Sequence, residues 1–244
     1  MRIRLLTSWL LFACLGAPLY LCAQSQPPSH EVSIRELSIP SKAHHEFEQG
    51  MARLAEKDAA GSLLHFQRAI SEYAGYYEAY DRIGAANLRL WHVPEAEQAF
   101  RKSIEVSGGQ FAHPLLALGA ILTQRDQFAE AESVIRKGLG LAPDYWRGYY
   151  YLGLALFGLN RFEDSEGSTR EALRRKADFP EGYLLLADIH RHEEDFHALL
   201  SDLDEYLKLA PDGPASAGVK ALRDSVKGMI PVSQTSSALI LIQP

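Results

Sequence analysis

Between Ala43 and Gly213 apolar residues recur three and four positions apart in short stretches separated by polar turns, as in Tyr149, Leu152 and Leu156 followed by Phe162 and Leu173. That spacing places them on one face of a helix and predicts pairs of amphipathic helices rather than strands. The pairs repeat along the chain. Leu118-Gly119, Leu152-Gly153 and Leu186-Ala187 are 34 residues apart, Ile83-Gly84 lies 35 residues before the first of them, and Gln49-Gly50 lies another 34 before that. Five registers follow, at 43–76, 77–111, 112–145, 146–179 and 180–213. Two helices joined by a short turn approach closely only where side chains are small. Glycine is therefore tolerated at the contact despite a helix penalty of about 1 kcal/mol. One hairpin cannot bury its own apolar face, so the units are expected to stack into an all-α solenoid.

The register carries more than small residues. Its fourth position holds Tyr80, Leu115, Tyr149 and Tyr183, its eighth Gly50, Gly84, Gly119, Gly153 and Ala187, and its twentieth Ser62, Ala96, Ala131 and Ser165. The twenty-fourth holds Phe66, Phe100, Ile135 and Leu203, the twenty-seventh Ala69, Ser103, Gly138 and Ala172, and Pro143 and Pro211 close their units. This resembles the tetratricopeptide repeat family, with its W-x2-L-G-x2-Y, A-x3-F and P signature. The resemblance covers Ala43 to Gly213 and implies a right-handed superhelical solenoid of helix-turn-helix repeats that binds extended peptides along its first helices.

Departures from the pattern gather at the ends. Glu46, Gln49 and Arg53 make the first helix polar, which suits a solvent-facing end, while Leu199 and Tyr206 stand in the fifth unit where small residues are expected. After Asp212-Gly213-Pro214, the spacing of Val219, Leu222, Val226 and Ile230 predicts a C-terminal capping helix over 214–230. At the other end Arg2 and Arg4 precede an uncharged stretch from Leu5 to His30, with an apolar core from Leu5 to Cys14, breakers at Gly16 and Pro18, and Leu21-Cys22-Ala23. That is the form of a secretory signal peptide over 1–23, cleaved after Ala23. An uncleaved anchor is the alternative. A polar, proline-containing linker over 24–42 and a tail over 231–244 ending in Leu239-Ile240-Leu241-Ile242 complete the expected organisation. The tail is expected to dock on apolar protein surface or to fray.

Composition narrows the function. With 47% hydrophobic and 23% charged residues and a net charge of −6, the 244-residue chain reads as globular, and its acidic balance disfavours nucleic acid as a partner. Both cysteines, Cys14 and Cys22, fall inside the export segment, so the remainder would fold on its core without a disulfide. Catalytic patterns fail on geometry. His192 and His197 flank Glu193 as in a zinc-protease helix but stand five apart, which turns them roughly 140° away from each other, and His190 and His192 diverge by about 200°. No single helix can chelate a metal with that set, and the register places a turn at Glu194 and Asp195. Pro214 to Gly218 imitates a nucleophile elbow around Ser216 but follows a helix rather than a strand. Neither an enzyme nor a cofactor protein is expected.

The resemblance assigns the groove to the second, fifth, ninth, twelfth and thirteenth positions of each unit. These include Glu78, Asp81, Leu88 and Arg89, then His113, Leu116, Ala120, Thr123 and Gln124, then Arg147, Tyr150, Leu154 and Phe157, then Glu181, Leu184, Asp188, Arg191 and His192. The expected peptide contacts are Leu116, Ala120, Arg147, Tyr150, Leu154, Phe157, Leu184, Asp188 and Arg191. The expected function is a noncatalytic protein-binding scaffold or adaptor of the cell envelope, periplasmic or secreted, without nucleic acid and without a membrane span once the signal is removed. A small-ligand or glycan module stacking on Trp146, Tyr150 and Phe157 is the alternative, and superhelical curvature could bury part of the strip.

Overall fold

The computed structural model describes residues 38–229, and no strand occurs among them. The expected export segment 1–23, most of the linker and the tail 231–244 lie outside the described residues. The helices run α1 Ser41–Ala55, α2 Ala59–Glu72, α3 Tyr77–Arg89, α4 Val93–Val106, α5 Ala112–Gln124, α6 Phe128–Leu141, α7 Trp146–Gly158, α8 Phe162–Arg175, α9 Pro180–His192, α10 Phe196–Leu209 and α11 Ser216–Met229. Each odd helix from α1 to α9 packs against the even helix after it, and each even helix packs against the next odd one, so five hairpins stack in chain order with α11 against α10. Helix α1 begins two residues ahead of the expected register, with Pro40 at its N-cap.

The turn inside every hairpin is built the same way. Lys57, Trp91, Asp126, Asn160 and Glu194 all have positive φ, between 58° and 64°, and no glycine holds any of these places. The next residue's N–H reaches five residues back, as from Asp58 to the Arg53 carbonyl, His92 to Asn87 and Asp195 to His190, each at 2.9 Å. This left-handed closure satisfies carbonyls that the helix end leaves open and turns the chain within three residues. At the last turn Asp195 then caps α10 by accepting a bond from the Ala198 N–H at 3.0 Å.

Inside each of the first four hairpins a glycine faces a larger residue sixteen positions later. A Cβ on Gly50 would stand 2.6 Å from the Phe66 ring, one on Gly84 2.6 Å from Phe100, and one on Gly119 2.2 Å from Ile135. In the fourth unit the partner is Thr169, 2.6 Å from a Cβ on Gly153, and Leu185 from α9 moves in beside it. Thr169 donates its hydroxyl to the Ser165 carbonyl at 2.8 Å, so the small polar side chain is fully buried with its bond made.

The core is thickest in the middle, where Phe100, Leu118, Leu122, Ile135, Leu152 and Leu156 join α4 to α7. Helix α5 is buried without a break from Pro114 to Gly119, as expected of a helix apolar on all sides. At the C-terminal end Leu199 and Tyr206, the two oversized residues of the fifth unit, pack with Ala215, Val219 and Val226. They fill the space where the fifth unit meets α11.

Candidate protein-binding face

The direction in which the stack curves follows from which helices touch. Helices α3 and α5, α5 and α7, and α7 and α9 pack on each other directly, whereas no comparable contact joins consecutive even helices among the described residues. The odd helices therefore lie on the inner side of the curve. The expected groove residues sit on that side, but they do not form one open strip.

Leu116 and Tyr150 are buried, at 5% and 7% exposure. Leu116 runs beneath Gly138 of α6 and Gly148 of α7, where a Cβ would meet it at 2.7 and 3.0 Å. Tyr150 meets Phe179 edge-on with ring centroids 4.7 Å apart. Ala120, Arg147, Leu154, Phe157, Leu184 and Asp188 are half-buried and Arg191 is exposed. Asp188 and Arg191 pair at 2.8 Å one turn apart on α9. The Phe157 ring is bracketed by Phe162 and His192, each 5.4 Å away, and His192 stacks on Phe162 at 5.0 Å. The accessible inner band is thus Ala120, Leu154 and Phe157, edged by Asp188, Arg191 and His192.

Two other groove positions bind each other across units. His113 Nδ1 lies 2.6 Å from Oδ1 of Asp81, a fully buried carboxylate whose other oxygen is 3.7 Å from Arg82 Nε. The pair ties α3 to α5 on the inner side. Arg89 is likewise engaged, donating to the Leu54 carbonyl at 3.0 Å.

The aromatic residues near Trp146 are occupied by the fold. Trp146 packs on Phe179 at 4.6 Å while the Arg147 guanidinium lies 4.6 Å from the indole centre, and Tyr149 carries Arg175 at 4.3 Å. Phe179 belongs to a set at the last position of the units, which the repeat signature does not include. Tyr76, Phe111, Tyr145 and Phe179 stand at the N-caps of α3, α5, α7 and α9, at intervals of 35, 34 and 34 residues. Three of these end-of-unit rings fold back on an earlier ring of their own unit: Tyr76 on Phe47 at 4.8 Å, Phe111 on Tyr77 at 5.2 Å, and Phe179 on Trp146. The regular spacing was the signal that could have revealed them.

No family profile and no curated protein sequence matches this chain. Solved structures do. The chain is similar to MamA, residues 41 to the end, from Desulfovibrio magneticus RS-1, with a TM-score of 0.64 at 19% identity over 72% of this chain and 99% of that one. It is similar to YrrB, described as a TPR protein with an unusual peptide-binding site, with a TM-score of 0.63 at 14% identity over 72% of this chain and 90% of that one. PilF of Pseudomonas aeruginosa aligns with a TM-score of 0.59 at 14% identity over 81% and 93% of the two chains. The likeness in backbone, together with five hairpins on a 34-residue period, establishes that this chain has the tetratricopeptide-repeat fold.

Proposed function

We propose that the protein is a noncatalytic scaffold that holds a segment of another protein against the inner faces of α5, α7 and α9. The observation that carries this reading is the partly exposed apolar band of Leu154 and Phe157 beside Ala120, bordered by Asp188 and Arg191. An apolar strip with a charged rim fits a segment that offers a few apolar side chains and a polar backbone. The peptide-binding site in the description of YrrB supports the same use of this fold. The glycan alternative loses support, because Trp146 is covered by Phe179 and Arg147 and Tyr150 is buried. We further propose that the chain is exported, on the strength of Arg2, Arg4 and the apolar Leu5 to Cys14 run. No helix among the described residues is long and apolar enough to cross a membrane.

Panning the purified protein against a displayed peptide library tests the binding reading. Enriched peptides should lose at least tenfold in affinity to Leu154→Asp and keep it with a substitution at Leu141, which is exposed on α6. Binding indifferent to Leu154 and Phe157 would refute the inner-face assignment. N-terminal sequencing after cell fractionation tests export, with a chain starting near Gln24 outside the cytoplasm as the expected result.

A further inference from the structure

His190 is buried at 5% exposure in a protein whose other potential metal ligands lie mostly at the surface. Its Nδ1 stands 2.6 Å from Oδ2 of Asp202 on α10, and its Nε2 stands 3.2 Å from Oε1 of Glu166 on α8. Glu193 is the C-cap of α9, three residues on from His190 and so on the same side of the helix. One ligand atom from each of Glu166, His190 and Glu193 lies within 4.8 Å of the other two.

The short contact to Asp202 is best met by a proton on Nδ1. The Nε2 lone pair is then directed at a carboxylate oxygen, and two electron-rich atoms do not face each other at that distance without a positive centre between them. A proton or a metal ion can supply it. Three features favour the ion. In a tetrahedral zinc site, bonds of about 2.0–2.2 Å set neighbouring ligand atoms roughly 3.3–3.6 Å apart, close to the separation of His190 and Glu166. A carboxylate behind Nδ1 is the usual support of a metal-bound histidine, since it fixes the tautomer and turns the ring. Glu193 is exposed, so a fourth position is open to water.

We infer that Glu166, His190 and Glu193 form a site for one divalent transition-metal ion of the zinc class, with Asp202 orienting the imidazole. The histidine and carboxylate donors suit such an ion better than magnesium or calcium, which prefer all-oxygen shells. Arg170 approaches the same Glu166 oxygen at 2.5 Å, but its side chain is 58% exposed and can swing into solvent. An ion here would pin α8 of the fourth unit to the end of α9 in the fifth. The neighbouring histidines are excluded by position: His192 stacks on Phe162, and His197 is exposed past the turn.

Calorimetric titration of the chelator-stripped full chain with zinc chloride, and separately with magnesium chloride, tests the site. The expected result is one equivalent of zinc, little response to magnesium, a higher unfolding temperature with zinc, and a shift of the His190 Nε2 resonance alone among the histidines. His190→Ala risks misfolding, so the decisive variant is Glu193→Gln at the exposed cap, expected to weaken zinc at least tenfold. Asp202→Asn should weaken it about 10- to 100-fold, as outer-shell partners do. His192→Ala and His197→Ala should leave it unchanged. The proposal is overturned if no single saturable equivalent binds, if magnesium binds as well as zinc, or if zinc depends on His192 or His197 and not on Glu193.

Discussion

The Ser165 hydroxyl on α8 donates a 2.7 Å hydrogen bond to the Gly153 carbonyl on α7, a buried contact twelve residues apart in sequence. It exists because the two helices of the fourth unit come together at Gly153, where a Cβ would lie 2.6 Å from Thr169 Oγ1 and 3.2 Å from Leu185 Cδ2.

Gly153→Leu should therefore destabilise the stack by about 1–3 kcal/mol, the usual cost of overfilling a packed site. Because each unit leans on its neighbours, the loss should spread to the third and fifth units. Thermal unfolding followed by circular dichroism measures it, and an unchanged midpoint would mean that α7 and α8 do not meet at this residue.

Gly167 gives the opposite sign within the same hairpin. It lies inside α8, is exposed, and a Cβ there meets nothing within 4 Å. Gly167→Ala should stabilise the protein by about 0.5–1 kcal/mol through helix propensity alone. Denaturant melts of the two variants side by side separate contact from propensity.

Trp91 holds the left-handed position of the second turn at φ 63° while 59% exposed. A bulky residue is disfavoured there, and the conformation costs an L-residue about 1–2 kcal/mol, less for asparagine, whose side chain bonds locally. Asn160 fills the equivalent place two units on. Trp91→Asn should raise stability by about 1 kcal/mol, read as a higher denaturation midpoint with unchanged slope.

Legibility in the sequence tracked how often a contact is repeated. Gly50, Gly84, Gly119 and Gly153 face Phe66, Phe100, Ile135 and Thr169 at a constant interval of sixteen, so the hairpins show in the sequence itself. Thr169 escaped notice as a packing residue because its place is identified by a bulky neighbour, and here Leu185 from the next unit supplies the bulk. The inner face was less legible. Leu116 and Tyr150 hold groove positions by count, yet neighbouring units close over them, and a repeat pattern does not state how tightly successive hairpins pack. The His190, Asp202 and Glu166 cluster was hidden for another reason: its members lie 12 and 24 residues apart on three helices of two units.

Acid should reveal two buried or half-buried carboxylates that act in opposite directions. The bond from His65, 2.8 Å away, is the main cause holding Glu46 below its ordinary value of 4.5, against burial. A depressed acid stabilises the fold above its unfolded pKa and loses that contribution as pH falls through the folded one. Burial, the largest cause, raises Asp202 above its ordinary 3.8 despite His190. A raised acid contributes stability below the unfolded value and loses it as pH rises through the folded one. Glu46→Gln should thus flatten the loss of stability between neutral pH and about pH 3, and Asp202→Asn should steepen it. Denaturant midpoints across that range, measured with chelator present, check both signs.

Tyr206 joins the fifth unit to α11. Four earlier units keep its register position small, with Ala69, Ser103, Gly138 and Ala172, whereas Tyr206 is 3% exposed and packs with Ala215, Val219 and Val226. Its hydroxyl oxygen would stand 3.0 Å from a Cβ on Gly213, so the ring reaches the link that leads into α11. Helix α11 has α10 as its main neighbour among the described residues. Its attachment depends on a few apolar contacts, of which the tyrosine is the largest. Tyr206→Ala should cost about 3–5 kcal/mol, the range for a buried aromatic cut to alanine. The damage should concentrate at one end, because a one-dimensional stack frays from its termini. Hydrogen exchange should therefore rise first across 216–229 and then in α10, with α3 to α6 still protected. Tyr206→Phe keeps the ring and should leave that gradient intact. Uniform loss of protection from α1 to α11 would show instead that the whole chain unfolds as one unit.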